Sequence, residues 1–239
     1  MKPGSKKYNF QEGELLLIDK PLEWTSFDVV NKIRWAISKK LGVKKIKVGH
    51  AGTLDPLASG LLILCTGKFT KRITELQLLN KEYTGTFRLG ETTPSYDNET
   101  AVDHEFPIDH IHPEMIHSTA RDFIGKIDQV PPIYSAIKVN GTRAYEKARK
   151  NDVIKLHPRE IEIFDFTVSE IKLPDIKFRV SCSKGTYIRA LARDFGKALH
   201  SGAYLTALRR TKIQNYAVED AQTVDEFLAS LEQFNFEKR

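Results

Sequence analysis

Gly49-His50-Ala51-Gly52-Thr53-Leu54-Asp55-Pro56-Leu57-Ala58-Ser59-Gly60 places three glycines, one histidine and an Asp-Pro pair in twelve residues, then runs into the apolar Leu61-Leu62-Ile63-Leu64. Glycine opens backbone conformations closed to other residues. A stretch that uses so much of that freedom just ahead of a buried strand reads as a site loop. Asp55 is its only carboxylate. Pro56 keeps Asp55 out of the α region and presents its side chain from extended backbone. Two roles are open to Asp55 at this level: a reactive group, or the cap of a short turn with Pro56 at its first position.

Outward from the loop, Leu61 to Thr66 reads as a buried strand and Lys68 to Leu79 as a helix. Upstream, Glu14 to Ile18 is a short strand ending at Pro21. Ser26 is the expected cap of a helix carrying Phe27, Val30, Ile33, Ile37 and Leu41 at helical spacing, with Gly42 as its stop. Downstream, Tyr83, Gly85, Phe87 and Leu89 alternate with Thr84, Thr86 and Arg88, which is strand periodicity and puts Tyr83 on the inward face. Glu91 to Asp109 is polar and rich in turn formers, a long surface loop. Pro113 opens a helix to about Ile124. A strand to Val139, the Asn140-Gly141 turn and the basic Arg143 to Lys150 make a flap. Strands follow at Arg159–Phe166 and Lys177–Cys182. A helix runs from about Thr186 to Gly202, Ala207 to Gln214 returns as a strand, and Thr223 with Glu226 has capping-box spacing for a last helix. Strands and helices mix without regular βαβ alternation. The fold class is therefore α+β, with a mixed or mostly antiparallel sheet.

The 239 residues are 41% hydrophobic and 28% charged, the composition of a soluble globular chain. No apolar run approaches the roughly 18 residues of a membrane helix, and the basic start lacks the apolar core of a secretory signal. Cys65 and Cys182 lie in expected strands and read as buried reduced thiols. The net charge of +6 fits an RNA partner without demanding one. Its distribution says more. Lys39, Lys40, Lys44, Lys45 and Lys47 precede the Asp55 loop; Arg143, Lys147, Arg149 and Lys150 form a second group, and Arg209, Arg210 and Lys212 a third. Together they suggest a surface that tracks phosphates.

Other motifs fail on spacing. Gly60 to Lys68 superficially resembles a phosphate loop, but its interior is an apolar strand and Phe69 stands where Ser or Thr is needed. His110, His112, His117 and Glu114 match no common zinc pattern. No metal or cofactor is expected.

The Asp55 loop resembles the catalytic loop of TruB-type pseudouridine synthases, which isomerise one uridine in the T-loop of tRNA. Further blocks carry the resemblance in the same order: Leu17-Ile18-Asp19-Lys20-Pro21, Gly67-Lys68-Phe69-Thr70-Lys71, Lys81-Glu82-Tyr83, Tyr134-Ser135-Ala136-Ile137-Lys138, Ser183-Lys184-Gly185-Thr186-Tyr187-Ile188-Arg189 and Leu208-Arg209-Arg210. They cover about residues 14 to 212.

The resemblance implies a pseudouridine synthase fold with a cleft along a central sheet, a tRNA substrate engaged at its T-arm, and no cofactor. It assigns Asp55 as the catalytic carboxylate, Arg189 as the arginine that pairs with it, and Tyr83 as the tyrosine that stacks on the target base. His50 matches the histidine that fills the space left by displaced bases. Lys20, Lys71, Lys138, Arg209 and Arg210 would contact phosphates or hold the loop architecture. Tyr134 and Arg143 belong to the segment, about 131–158, that closes over the RNA, and Leu208 lines the base pocket. The expected organisation is a flexible tail over 1–10 and one catalytic domain over 11–239. The residues after Arg210 suffice for a helix but not for the RNA-binding domain that family members usually carry there. Pro94 stands where family sequences often have an aspartate. A cytoplasmic monomer with no membrane association and no obligatory protein partner is expected. The alternative is a tRNA-folding protein in which catalysis is secondary.

Overall fold

The computed structural model describes residues 8–135, 138–139, 142–143 and 156–233, with backbone only at 138–139 and 142–143. Its chain divides into two compact units, Met1–Lys81 with Arg209–Arg239, and Glu82–Leu208. Strand Ala203–Ile213 contributes its last residues to the first and its earlier ones to the second.

In the first unit, strand Ala58–Thr66 lies next to Leu15–Lys20, which in turn lies beside Gln222–Thr223; Val48–His50 also pairs with Ala58–Thr66. Only Ser59 of Ala58–Thr66 escapes full burial. The continuous apolar run is explained by cover on both faces. Leu62 and Leu64 pack with Val30, Ile33 and Ile37 of helix Ser26–Leu41 and with Phe227 of helix Val224–Glu232. Leu61, Ile63 and Cys65 pack with Leu76 and Ile213.

Two expectations shift in this unit. The cap of helix Ser26–Leu41 is Thr25, whose hydroxyl accepts from Asp28 N–H while Asp28 accepts from Thr25 N–H. The helix therefore starts one residue earlier than expected; Phe27 is exposed, and Val29 and Ala36 join the inward face. The expected helix from Lys68 is a 3-10 turn, Gly67–Arg72, followed by the short helix Ile73–Gln77. Gly42 ends the first helix in the left-handed region, and the Thr223/Glu226 capping box forms as read.

The second unit sets strand Lys81–Leu89 beside Asp175–Cys182, followed by Arg159–Lys172 and Gly125–Gln129 at the edge. Helices Pro113–Asp122 and Ile188–Ala198 complete it. Phe87, Phe123, Phe166, Phe178 and Phe195 form its aromatic centre, with Phe87 and Phe178 rings 4.1 Å apart. Strand Gly125–Gln129 was not legible, because its Lys126 and Asp128 point outward and leave a short pattern.

The stretch Glu91 to Asp109 is not simply surface. Glu91–Thr92 pairs with His104–Glu105, and Thr93, Ser95 and Asp97 are buried. Lys138–Val139 and Thr142–Arg143 pair antiparallel around the expected turn. The rest of the flap at 136–137, 140–141 and 144–155 lies outside the described residues. The architecture is α+β, with a mixed sheet and five α-helices among the described residues. None of these helices is long and apolar enough to cross a membrane. Cys65 and Cys182 are buried and form no disulfide.

Candidate active site

The Asp55 loop is held by its backbone. Ala51 N–H donates to Ile63 O at 2.9 Å, and Ala58 N–H donates to Asp55 O at 3.0 Å, closing a turn with Pro56 at its second position. The chain then enters strand Ala58–Thr66 directly. With no helix following the turn, Asp55 has none to cap.

Side chains pin the rest. Arg210, 1% exposed, donates from Nε to Leu61 O at 2.7 Å and from Nη2 to Gly52 O at 3.1 Å, with Nη1 reaching Thr53 O at 3.5 Å. Ser26 Oγ donates to Leu54 O at 3.1 Å and accepts from Leu54 N–H at 2.9 Å. Lys20 Nζ, fully buried, donates to Trp24 O at 2.6 Å, Pro21 O at 2.8 Å and Pro56 O at 3.4 Å. Gly60 takes φ +105°, and a Cβ there would lie 2.3 Å from Arg210 O, so only glycine lets the two strands approach.

The electrostatics follow from this packing. Burial pushes the Lys20 amine down to about 8; the Asp55 and Asp28 carboxylates pull it back, while Arg210 adds to the depression. Lys20 and Arg210 are charged groups spent on carbonyl oxygens, so of the two roles open to them their positions serve loop architecture. A phosphate could not reach either without disrupting the loop. Arg209, the next residue along the strand, is different. It forms a fork with Asp19, Nη2–Oδ2 2.6 Å and Nη1–Oδ1 3.1 Å, and remains partly exposed. Lys71 is exposed on the Gly67–Arg72 turn.

His50 ends strand Val48–His50 opposite Leu64. Its ring is half-buried, and Nδ1 has no hydrogen-bond partner among the described residues. Burial holds its pKa below the ordinary histidine value, a backbone hydrogen bond with Gly52 opposes this and Arg210 pushes with it, so the neutral ring is favoured. An imidazole can stack on a base and hydrogen-bond to it.

Tyr83, Arg189, Tyr134 and Leu208 belong to the second unit. Tyr83 is buried on the inward face of its strand, and Leu208 is half-buried on Ala203–Ile213. Arg189, 5% exposed, stands at the start of helix Ile188–Ala198. Its Nε lies 3.5 Å from Asp97 Oδ2; Nη1 donates to Ser95 O at 3.3 Å and Nη2 to Tyr134 O at 2.9 Å. Asp97 is itself fixed: Glu99 N–H donates to its Oδ1, and Thr93 Oγ1 donates to its carbonyl. Buried Gln129 clamps the helix entry by accepting from Tyr187 N–H at 2.8 Å and donating to Tyr187 O at 3.2 Å. Lys138 and Arg143 face one another across a strand pair, and their side chains lie outside the described residues.

Ser26, Asp97 and Gln129 are positioning residues that sequence reading missed. Ser26 read as a cap, Asp97 as part of a surface loop, and Gln129 as one residue of a segment with no strand pattern. Among the described residues no group of three or more His, Cys, Asp or Glu side chains is arranged to hold a metal.

The first unit thus carries an aspartate on a braced loop and a half-buried histidine five residues before it, and the second a buried arginine at a helix start. The chain belongs to the TruB family of pseudouridylate synthases, whose N-terminal domain model matches residues 38–188. It is 57% identical over 224 residues to tRNA pseudouridine synthase B of Flavobacterium johnsoniae, covering 93% of this chain and 98% of that one. To the protein of the same name from Phocaeicola vulgatus it is 55% identical over 230 residues, with 96% and 98% covered. Among solved structures, a chain of a Cbf5-Nop10-Gar1 complex matches with TM-score 0.67 and 30% identity, covering 92% of this chain and 54% of that chain. A chain of an H/ACA RNP bound to a substrate RNA containing 2'-deoxyuridine matches with TM-score 0.65 and 28% identity. The chain spans about half the length of those two solved chains.

Proposed function

We propose that this protein isomerises uridine to pseudouridine in tRNA, at position 55 of the T-loop, with Asp55 as the catalytic carboxylate. The reaction breaks the bond between uracil N1 and ribose C1′, turns the base and joins C5 to C1′; the C5 proton leaves to a base and N1 gains a proton, so the atoms balance. It is redox-neutral, so no electron carrier enters the balance. A carboxylate can serve as nucleophile or as base toward the sugar.

The observation that carries the reading is the bracing of the Asp55 loop, from Ala51 N–H through Arg210, Ser26 and Lys20 to Pro56 O. Reaction at one atom of a bulky substrate needs a carboxylate held to a fraction of an ångström, which backbone hydrogen bonds to buried donors supply. The target base must leave its stack at a cost of a few kcal/mol, and half-buried, neutral His50 suits the space it vacates. The family pattern adds Tyr83 as the stacking tyrosine and candidate C5 base, Arg189 as the cation serving the carboxylate, and Leu208 at the base pocket. Lys71, Lys138, Tyr134, Arg143 and Arg209 are RNA contacts in the same reading. The protein works on tRNA in the cytoplasm, as a monomer and without an obligatory protein partner.

The test is incubation with an unmodified tRNA transcript, followed by carbodiimide treatment and reverse transcription to locate pseudouridine. Asp55→Asn should lower turnover by at least about a thousandfold while tRNA affinity stays within about threefold, because phosphate contacts carry most of the binding. Turnover by the purified variant near the wild-type rate would refute Asp55 as the essential group.

A further inference from the structure

Two arginines stand one turn apart on helix Ile188–Ala198, Arg189 at its start and Arg193 four residues on. Arg193 is buried, and its charge is committed. Nε and Nη2 fork to Asp194 Oδ1 and Oδ2 at 2.8 and 2.9 Å, and Nη2 also donates to Val130 O at 3.0 Å. A guanidinium so engaged has little left for a phosphate. Its flat face lies over the Tyr96 ring, 5.1 Å from the centroid.

Tyr96 links the two arginines. It takes φ +61°, in the left-handed region that a residue with a Cβ rarely adopts. The residues on either side of it both serve Arg189: the Ser95 carbonyl accepts from Nη1 at 3.3 Å, and Asp97 Oδ2 lies 3.5 Å from Nε. The Ser95 carbonyl belongs to the peptide plane that turns with φ of Tyr96. At an ordinary negative φ that plane swings round, and the carbonyl leaves the guanidinium that Asp97 faces. Backbone bonds fix the ends of the turn, Tyr96 N–H donating to Thr93 O at 3.1 Å and Leu205 N–H donating to Tyr96 O at 3.0 Å. The ring under Arg193 fixes the residue between them.

We propose that Tyr96 and Arg193 are positioning residues for Arg189: the Arg193 face on the Tyr96 ring holds the left-handed turn that brings the Ser95 carbonyl and the Asp97 carboxylate onto one guanidinium. Helical spacing makes this possible, since residues four apart stand on one face and reach the same segment. Two guanidiniums at that spacing would repel, and each has its own carboxylate, Asp97 for Arg189 and Asp194 for Arg193. The inference rests on the reading of Arg189 as the cation that serves the reacting carboxylate.

Tyr96→Ala, Tyr96→Gly and Tyr96→Phe, each in the full chain, test it by kcat on unmodified tRNA, tRNA affinity and urea midpoint. Tyr96→Ala loses the ring and keeps the strain, and its kcat should fall about tenfold with affinity within about twofold. Glycine enters the left-handed region at no steric cost, so Tyr96→Gly should recover to within about threefold of wild type. Tyr96→Phe keeps the ring and should stay within about twofold. Arg193→Lys keeps a charge but cannot fork to Asp194 and lie flat on the ring at once; its kcat should fall about fivefold at unchanged affinity. On an Asp97→Asn background, Tyr96→Ala should add less than about twofold, because both act through one guanidinium. A wild-type rate in Tyr96→Ala overturns the proposal, as does an equal loss in the alanine and glycine variants. An affinity loss that matches the kcat loss makes the ring an RNA contact and overturns it too. If Tyr96→Ala does not fold, Arg193→Lys decides, and an unchanged rate there overturns the proposal. Wild-type turnover and its loss in Asp55→Asn check the functional reading separately, so variants that fail to split while the wild type is active overturn this inference alone.

Discussion

The loop that carries Asp55 and the stretch that backs Arg189 are both polar connections, and they are held by opposite chemistry. Around Asp55 the charged buried donors are Lys20 and Arg210, joined by the Ser26 hydroxyl, and the acceptors are main-chain carbonyls. Arg189 is itself the buried cation of the second region, and its partners include a carboxylate, Asp97, together with the Ser95 and Tyr134 carbonyls. A guanidinium that meets carbonyls alone keeps its full charge in the interior; one beside a carboxylate is partly neutralised. The first arrangement builds a positive field around a loop whose only carboxylate is Asp55. The second places a cation at a fixed address with less net charge stored around it.

Neighbouring residues on one strand give the sharpest way to break this comparison. Arg210→Met would leave the carbonyls of Leu61 and Gly52 without their donors in a buried setting, and should cost about 3 kcal/mol or more of stability. Arg209→Met removes a partly exposed ion pair with Asp19 and should cost about 1 kcal/mol or less. Urea denaturation of the two variants measures both. Equal losses would mean that the buried carbonyl bonds of Arg210 contribute no more than the partly exposed ion pair of Arg209.

A smaller effect is expected in the second region, and on catalysis more than on folding. Asp97→Asn keeps the volume and removes the charge beside Arg189 Nε. The guanidinium retains its carbonyl partners but loses one constraint on its angle, and kcat should fall about tenfold to a hundredfold with tRNA affinity unchanged. An affinity loss matching the kcat loss would reassign Arg189 from positioning the reaction to holding RNA.

These two regions also show where sequence was sufficient. The Asp55 loop was legible because glycine and proline announce backbone geometry directly, and the following strand because nothing else tolerates so long an apolar run. The Thr223/Glu226 cap was legible for the same reason: one local bond pattern, one spacing. Ser26 was not. Thr25 and Ser26 are both good caps, and only the distant Leu54 backbone decides that Ser26 turns inward. Arg209 and Arg210 alternate faces as strand residues must, yet which face is buried depends on Gly60 and the loop beyond it. Thr93, Ser95 and Asp97 look like solvent-facing residues because burial of polar groups is visible only once their partners are placed.

The smallest effect concerns Lys20 and separates stability from activity. Its amine is lowered from 10.5 to about 8, chiefly by burial. Between pH 8 and 10.5 the unfolded chain therefore holds a proton that the folded chain has released, and stability should rise with pH across that window as the cost of the buried charge is relieved. Lys20→Met should lose this rise, seen as a flatter dependence of the urea midpoint on pH than in the wild type. Activity should move the other way. The neutral amine keeps two N–H donors for three carbonyls, and the longest of its bonds, 3.4 Å to Pro56 O, is the one to go. That bond ties down the turn bearing Asp55, and the carboxylate loses a nearby positive charge at the same step. The wild-type rate should fall along an alkaline limb centred near pH 8 while the protein grows more stable. A rate that stays flat from pH 7 to 9.5 would show that the positive field around Asp55 is a by-product of how the loop is braced and has no part in the reaction.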